Sequence, residues 1–182
     1  MSDESSNFAV GSADLFKIIM LAGSIVGIVS VFLLWFSMEF VIVQFNYSGY
    51  DLFMKTHGYP DEGYFIYMPL IVLSASAASV IVSVTVFTKH ELKAAAAGIA
   101  LGAAVLISVI LYILYPLSKI WVSSPEADLI ADMKLMDHMG GGAYSAIVAG
   151  IFLVAGSISV LLLRRRTQAS PEEDERPPAD SE

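Results

Sequence analysis

Cysteine is absent from the 182 residues of this chain, and charged residues are scarce. Without a thiol the chain forms no disulfide, thiolate metal site, iron–sulfur cluster or cysteine nucleophile. Charged residues make up 15% of the sequence, against about 25% in a typical soluble domain. The basic, aromatic-rich surface typical of nucleic-acid binding is also missing from the sequence. We therefore expect neither a nucleic-acid partner nor a cofactor.

Charge is missing above all from four long apolar runs, in which the hydrophobic residues (56% of the chain) are concentrated. The runs cover residues 18–36, 68–87, 94–115 and 143–163, and none contains Asp, Glu, Lys, Arg or His. A helix of about 20 apolar residues crosses a hydrocarbon core about 30 Å thick. Because lipid offers no hydrogen bonds, the backbone of such a run must satisfy itself, as a helix does. The sequence therefore predicts an all-α bundle of four transmembrane helices.

This bundle would occupy residues 18–166, between an N-terminal segment 1–17 and an acidic tail 167–182 that we expect to be disordered. The first run lacks the features of a cleaved signal peptide. It is preceded by Asp3, Glu4 and Asp14 with only Lys17 as a cation, and it is longer than the usual apolar region of such peptides. We expect it to remain as the first span.

The positions of lysine and arginine predict the orientation. Lys17, residues 89 and 93, and Arg164, Arg165 and Arg166 fall on one side, against Lys55, Lys119 and Lys134 on the other. Cytoplasmic loops carry the excess of cations, so both termini are expected in the cytoplasm of a cell-membrane protein. The arginine block would anchor this topology and hold anionic lipid headgroups, at about 1 kcal/mol per arginine.

Aromatic residues point to the opposite, outer interface, where amphipathic rings are enriched. The aromatic residues assigned to that interface are Trp35, Tyr64, Tyr67, Tyr112, Tyr115, Trp121 and Tyr144.

Two longer segments on the outer side predict a small extracytoplasmic cap. Residues 38–45 are rich in β-branched and aromatic side chains and precede a turn signal at 46–49. They predict either a β-hairpin or a continuation of the first helix to about Val43. In the second segment Ser124 and Pro125 favour a helix start, and three glycines at 140–142 favour its end. We expect an amphipathic helix at 125–139, on the membrane surface or over the bundle.

Asn46 begins an Asn-Tyr-Ser triplet, which fits the N-glycosylation pattern and lies in the predicted outer segment.

Small residues recur every four positions in each predicted span, which lets a second backbone approach closely. The interpretation is packing within the bundle; the alternative is that one stripe faces outward and drives homo-oligomerisation. The residues singled out are Gly23, Gly27, Ala75, Ser79, Ser83, Gly98, Gly102, Ala146 and Gly150.

Chemistry-bearing groups are few. Proton relays and ion-coupled transporters place ionisable residues at membrane depth, and the four runs have none. Ser76, Ser79 and Ser83 could line a narrow polar path. The histidines lie in three separate loops. Two candidate metal sets are His57 with Asp61 and Glu62, and His138 with Asp132 and Asp137. Neither set has a recognised ligand spacing. His90 is the third histidine. We predict no catalytic, cofactor-binding or metal site.

The layout of short N-terminus, longer first outer loop, tight inner turn and charged tail resembles the claudin-like tetraspan topology. The tryptophan motif and cysteine pair that mark the first outer loop of those families are not present here. Ser48-Gly49-Tyr50-Asp51-Leu52 and Gly142-Ala143-Tyr144 are similar to small four-helix membrane proteins of prokaryotes, a likeness that implies no activity. We expect a non-enzymatic scaffold or an accessory subunit of a membrane complex; the alternative is a small oligomeric channel or transporter subunit.

Overall fold

The computed structural model describes residues 3–40, 43–54, 64–88, 90–115 and 135–169. Its elements are α1 (Asp3–Ser30), β1 (Leu34–Phe40), β2 (Val43–Ser48), α2 (Gly49–Met54), α3 (Met68–Thr85), α4 (Glu91–Ile113) and α5 (Gly141–Ala169). Single 3₁₀ turns lie at Tyr64–Tyr67 and Leu135–His138.

Four long helices form the body of the molecule, each packed against two neighbours. Helix α1 contacts α3 and α5, and α4 contacts the same two helices from the other side. Along the α1–α5 contact, Gly23 lies beside Phe152 and Gly27 lies beside Ala149, so the two helices are antiparallel. The closed ring is therefore an antiparallel four-helix bundle.

Among the described residues, three segments are long and apolar enough to cross a membrane: Tyr64–Thr85, Glu91–Ile113 and Gly141–Arg166. This confirms the prediction of a mostly helical chain with helices suited to a membrane. The bundle directs large apolar side chains outward: Ile81 is 71% exposed and Leu114 is 69% exposed. Serines fill part of its interior instead. A surface of large exposed apolar side chains is suited to lipid rather than to water.

The first helix does not follow its predicted bounds. Helix α1 ends at Ser30 rather than at residue 36, and Trp35 and Phe36 belong to β1. The Trp35 indole Nε1 donates to the Ser30 carbonyl oxygen at 2.8 Å, which also accepts from the Leu33 amide at 3.2 Å, so this carbonyl at the helix end is satisfied. The helix can therefore stop inside an apolar run.

The first outer segment is a β-hairpin, so the alternative of a continued helix is wrong. Strands β1 and β2 are antiparallel, with Leu34 opposite Ser48 at the base and Phe40 opposite Val43 at the tip. The description as all-α accordingly needs a two-stranded sheet added at one end of the bundle.

Two further boundaries differ from the predictions. Helix α5 continues to Ala169, so the tail does not begin at residue 167, and residues 170–182 lie outside the described ones. Most of the helix expected at 125–139 also lies outside them. Its described end is the 3₁₀ turn Leu135–His138, and Met139 pairs with Phe36 in a β-bridge. The backbone of Met139 is thus held by β1, and the predicted helix does not reach it.

Candidate functional sites at the two ends of the bundle

The hairpin is joined to the bundle through Trp35, whose side chain is fully buried. Its ring meets the Tyr112 ring edge-on, with centroids 5.2 Å apart. Its carbonyl oxygen accepts hydrogen bonds from the Tyr112 hydroxyl at 3.0 Å and from the Gly140 amide at 2.9 Å. Non-helical backbone is tolerated near membrane depth only where protein satisfies it, and here two donors do so.

Two glycines make room for the Trp35 ring. A Cβ atom at Gly142 would lie 2.6 Å from the Ser30 carbonyl oxygen, and one at Gly49 would lie 2.9 Å from the Trp35 Nε1 atom. Both distances are too short for a side chain. The hairpin is therefore joined to the bundle by close backbone packing.

The aromatic residues assigned to the outer interface divide into two groups. Trp35, Tyr112 and Tyr115 are buried within the protein, so their rings do not face lipid. Tyr64, Tyr67 and Tyr144 are about half exposed, as interface residues would be, and Trp121 lies outside the described residues. Burial follows from the hairpin and the Tyr64–Tyr67 turn, which cover the helix ends on the hairpin side of the bundle.

Two polar side-chain pairs lie across the strands of the hairpin. The Gln44 amide donates to Glu39 at 2.7 Å, and the Ser37 hydroxyl donates to the Asn46 side-chain oxygen at 2.7 Å. Asn46 is exposed on β2, and its glycosylation stays a prediction.

At the base of the hairpin, the Asp51 carboxylate accepts hydrogen bonds from the Ser48 amide and hydroxyl, at 3.1 and 2.7 Å. Burial raises the pKa of the Tyr47 phenol, and the nearby Asp51 charge raises that pKa further.

The nine small residues singled out in the sequence are all buried. On α1, a Cβ atom at Gly23 would lie 2.8 Å from Phe152 Cβ, and one at Gly27 would lie 2.9 Å from Ser76 Cβ. On α4, a Cβ atom at Gly102 would lie 3.0 Å from the backbone nitrogen of Val154. The described stripes therefore face other helices of the same chain.

Gly156 is a packing residue that the four-residue spacing missed. A Cβ atom there would lie 3.0 Å from the Phe16 carbonyl oxygen and 2.7 Å from Met20 Cγ. The small residue Ala149, two turns earlier on the same face of α5, could have indicated the role of Gly156. That face packs against α1. The four-residue spacing of Ala146 and Gly150 indicated one stripe of small residues on α5, but it did not indicate the stripe formed by Ala149 and Gly156.

The serines proposed to line a polar path lie between α3 and α1. The Ser79 hydroxyl oxygen is 2.8 Å from that of Ser24, which is 3.2 Å from that of Ser83. Ser24 was not singled out from the sequence. The hydroxyls of Ser76 and Ser157 are buried without a hydrogen bond to any described residue, against Gly27 and Gly98 respectively. The hydroxyls of Ser24, Ser79 and Ser83 therefore join α1 to α3.

The opposite end of the bundle carries an ion network centred on Glu91, the first residue of α4. Its carboxylate lies 3.3 Å from Lys17 Nζ of α1 and also contacts the Arg164 guanidinium of α5. Lys17 lies 3.3 Å from Asp14 as well. The Lys17 and Glu91 side chains are 14% and 17% exposed, so this pair is shielded from solvent. Sequence reasoning counted cations for topology and missed this carboxylate.

Within the arginine block, Arg164 contacts Glu91, and the side chains of Arg165 and Arg166 are exposed.

Neither candidate metal set lies wholly within the described part of the chain, where no group of three His, Asp or Glu side chains could hold an ion. His138 lies beside Phe36, with ring centroids 6.0 Å apart, and His90 is exposed before α4. His57, Asp61, Glu62 and Asp132 are outside the described residues.

No protein-family model matches this chain, and neither a curated protein nor a solved structure matches it. Its possible roles must therefore be argued from its own residues.

Proposed function

We propose that this protein is a non-enzymatic, four-span protein of the cell membrane that acts as a scaffold or accessory subunit and presents its hairpin outside the cell. The observation that carries the proposal is the rigid attachment of the hairpin, through buried Trp35, to a bundle whose interior serines serve helix packing. A cap fixed in this way presents a defined surface to a partner, and the bundle interior is occupied by its own side chains.

Helix α1 is the proposed fourth span. Its outward face is apolar and exposed at Ile18, Ile25 and Val29, like the outward faces of the other three long helices. It also packs antiparallel to α5, which is one of the three apolar helices long enough to cross a membrane. A helix with these neighbours and this surface is suited to the same lipid environment.

The cytoplasmic end of the proposed arrangement is the end with the ion network. Lys17, Lys93 and the arginine block gather there, and cytoplasmic segments carry the excess of such cations. Exposed Arg165 and Arg166 would hold the phosphates of anionic lipids in the inner leaflet.

The natural lack of cysteine permits a direct test of this topology. Single variants Gly11→Cys, Gln44→Cys and Thr88→Cys would be exposed to a membrane-impermeant maleimide in intact cells and after permeabilisation. We expect Gln44→Cys to react in intact cells, and the other two only after permeabilisation. If Gly11→Cys reacts in intact cells while Thr88→Cys does not, α1 does not span the membrane.

The scaffold role is tested by purification in mild detergent with mass analysis, followed by reconstitution into liposomes. We expect a stoichiometric membrane partner that is lost when Glu39 and Gln44 at the hairpin tip are both replaced by Ala. We also expect no ion flux above that of empty liposomes. Flux that disappears in Ser79→Val would contradict the scaffold role and support the channel alternative.

A further inference from the structure

An apolar surface surrounds the base of the hairpin. Phe32, Leu33, Leu34, Tyr50 and Met54 are all exposed there, and we call this group the outer collar. Phe32 is 58% exposed and Met54 is 52% exposed. The Phe32 and Tyr50 rings are stacked with centroids 6.0 Å apart, so the end of α1 and the start of α2 share one exposed aromatic patch within the collar.

The outer collar lies directly above the outward face of α1. Phe32 follows Val29 by three residues, and its amide donates to the Val29 carbonyl oxygen at 3.0 Å. The start of α2 is tied to the end of α1, since the Tyr50 amide donates to the Val31 carbonyl oxygen at 2.9 Å. Helix α2 is therefore held at the level where α1 ends.

The exposed polar residues of the hairpin lie on its strands, away from the collar. Glu39, Gln44 and Asn46 are exposed there, whereas the collar residues are apolar or aromatic. Residues 40–43 at the turn are apolar in sequence. The one acidic residue of α2, Asp51, is half-buried and bonded to Ser48. The collar therefore presents no exposed charge, as a surface in contact with lipid requires.

We propose that the outer collar inserts into the outer leaflet of the bilayer, with α2 lying at the boundary between lipid headgroups and acyl chains. The partner is phospholipid, because the collar continues the apolar outward face of α1 without a break. Tyr50 suits this depth, since an amphipathic ring has its apolar body in lipid and its hydroxyl in the headgroup layer. The collar would hold the hairpin upright on the membrane. This inference rests on the proposed span by α1.

The experiment is spin labelling of single-cysteine variants of the full chain in phosphatidylcholine–phosphatidylglycerol liposomes. Collision rates with oxygen, which concentrates in lipid, are compared with those of a water-soluble nickel chelate. The test variants are Met54→Cys and Tyr50→Cys, both at exposed positions. Gln44→Cys is the control for water, and Ile25→Cys is the control for the membrane interior.

We expect labels at Met54 and Tyr50 to collide with oxygen more often, and with the chelate several-fold less often, than the label at Gln44. Equal chelate access at Met54, Tyr50 and Gln44 would overturn the inference. Protection of Met54 and Tyr50 from both reagents would also overturn it, because protein rather than lipid would then cover the collar. Chelate access at Ile25 would instead contradict the span by α1, so the two failures are distinguishable.

Discussion

Single glycines determine how closely the helices of this protein approach. At Gly102, an added Cβ atom would lie 2.9 Å from Leu153 Cβ and 3.0 Å from the backbone nitrogen of Val154. Backbone cannot move aside as the end of a flexible side chain can. Gly102→Ala therefore forces α4 away from α5, and overpacking of this kind lowers the free energy of unfolding by about 1–3 kcal/mol. Titration with SDS in mixed micelles, followed by circular dichroism, measures this loss.

Gly141→Ala is the matched control, because a Cβ atom at Gly141 would meet nothing within 4 Å. Alanine also has the higher helix propensity, so we expect this change to be neutral or slightly stabilising. Equal stability of the two variants would show that contact with α5 is not what Gly102 provides.

Residues differ in how far the sequence alone reveals them. The spacing of Gly98 and Gly102 could indicate a packing face because helical geometry is local. The burial of Trp35 could not be predicted in this way, because it depends on a chain reversal at residues 31–33 and on Tyr112 from another helix. Glu91 was missed for the same reason, since its importance comes from Lys17 and Arg164, which are distant in sequence.

At the scale of elements, the apolar runs predicted the presence of the helices more accurately than the residues at which the helices end. Leu34, Trp35 and Phe36 are as apolar as the residues of α1, so hydropathy could not separate strand from helix there. β-branched and aromatic residues at 38–45 did raise the hairpin as one of two alternatives. The choice between them depended on tertiary bonds, such as that from the Gly140 amide to the Trp35 carbonyl oxygen.

Three helices are joined by one carboxylate at the end of the bundle opposite the hairpin, so Glu91→Gln tests how elements are held together. The change leaves Lys17 and Arg164 close to each other without the anion between them. Removing one member of a buried ion pair destabilises strongly, but solvent screens a partly exposed one. We therefore expect the free energy of unfolding to fall by about 1–2 kcal/mol, measured by the same SDS titration.

The control for the ion network is Glu39→Gln, which removes an exposed carboxylate at the hairpin tip and should change stability by less than about 0.5 kcal/mol. The double variant Glu91→Gln/Arg164→Gln should lose less than the sum of the two single changes, because each removes the same contact. Additive losses would mean that Glu91 and Arg164 act independently.

At the scale of the whole molecule, the bundle has a closely packed interior and a bulky apolar exterior. The count of apolar runs indicated a bundle, but the order of the helices around it depends on which faces of small residues meet. Helix α1 meets α5 through Gly23, and α4 meets α5 through Gly102. Since helix α5 carries two small faces, it contacts both neighbours closely. No single stripe read from the sequence could have indicated this order.

The distribution of small and large residues also predicts the oligomeric state. Close association of membrane helices depends on small residues at the interface, and the nine singled out here are turned inward. The outward faces carry large branched side chains such as Ile81, Ile107 and Leu114, and the exposed small pair Ala96 and Ala100 on α4 contains no glycine. We therefore expect the purified chain without its partner to be a monomer, measured as protein mass by light scattering in mild detergent. A dimer or larger homo-oligomer that persists on dilution would contradict this and move the interpretation toward a channel. A monomer that assembles only with a second membrane protein, through the hairpin tip, is the result that a scaffold or accessory subunit requires.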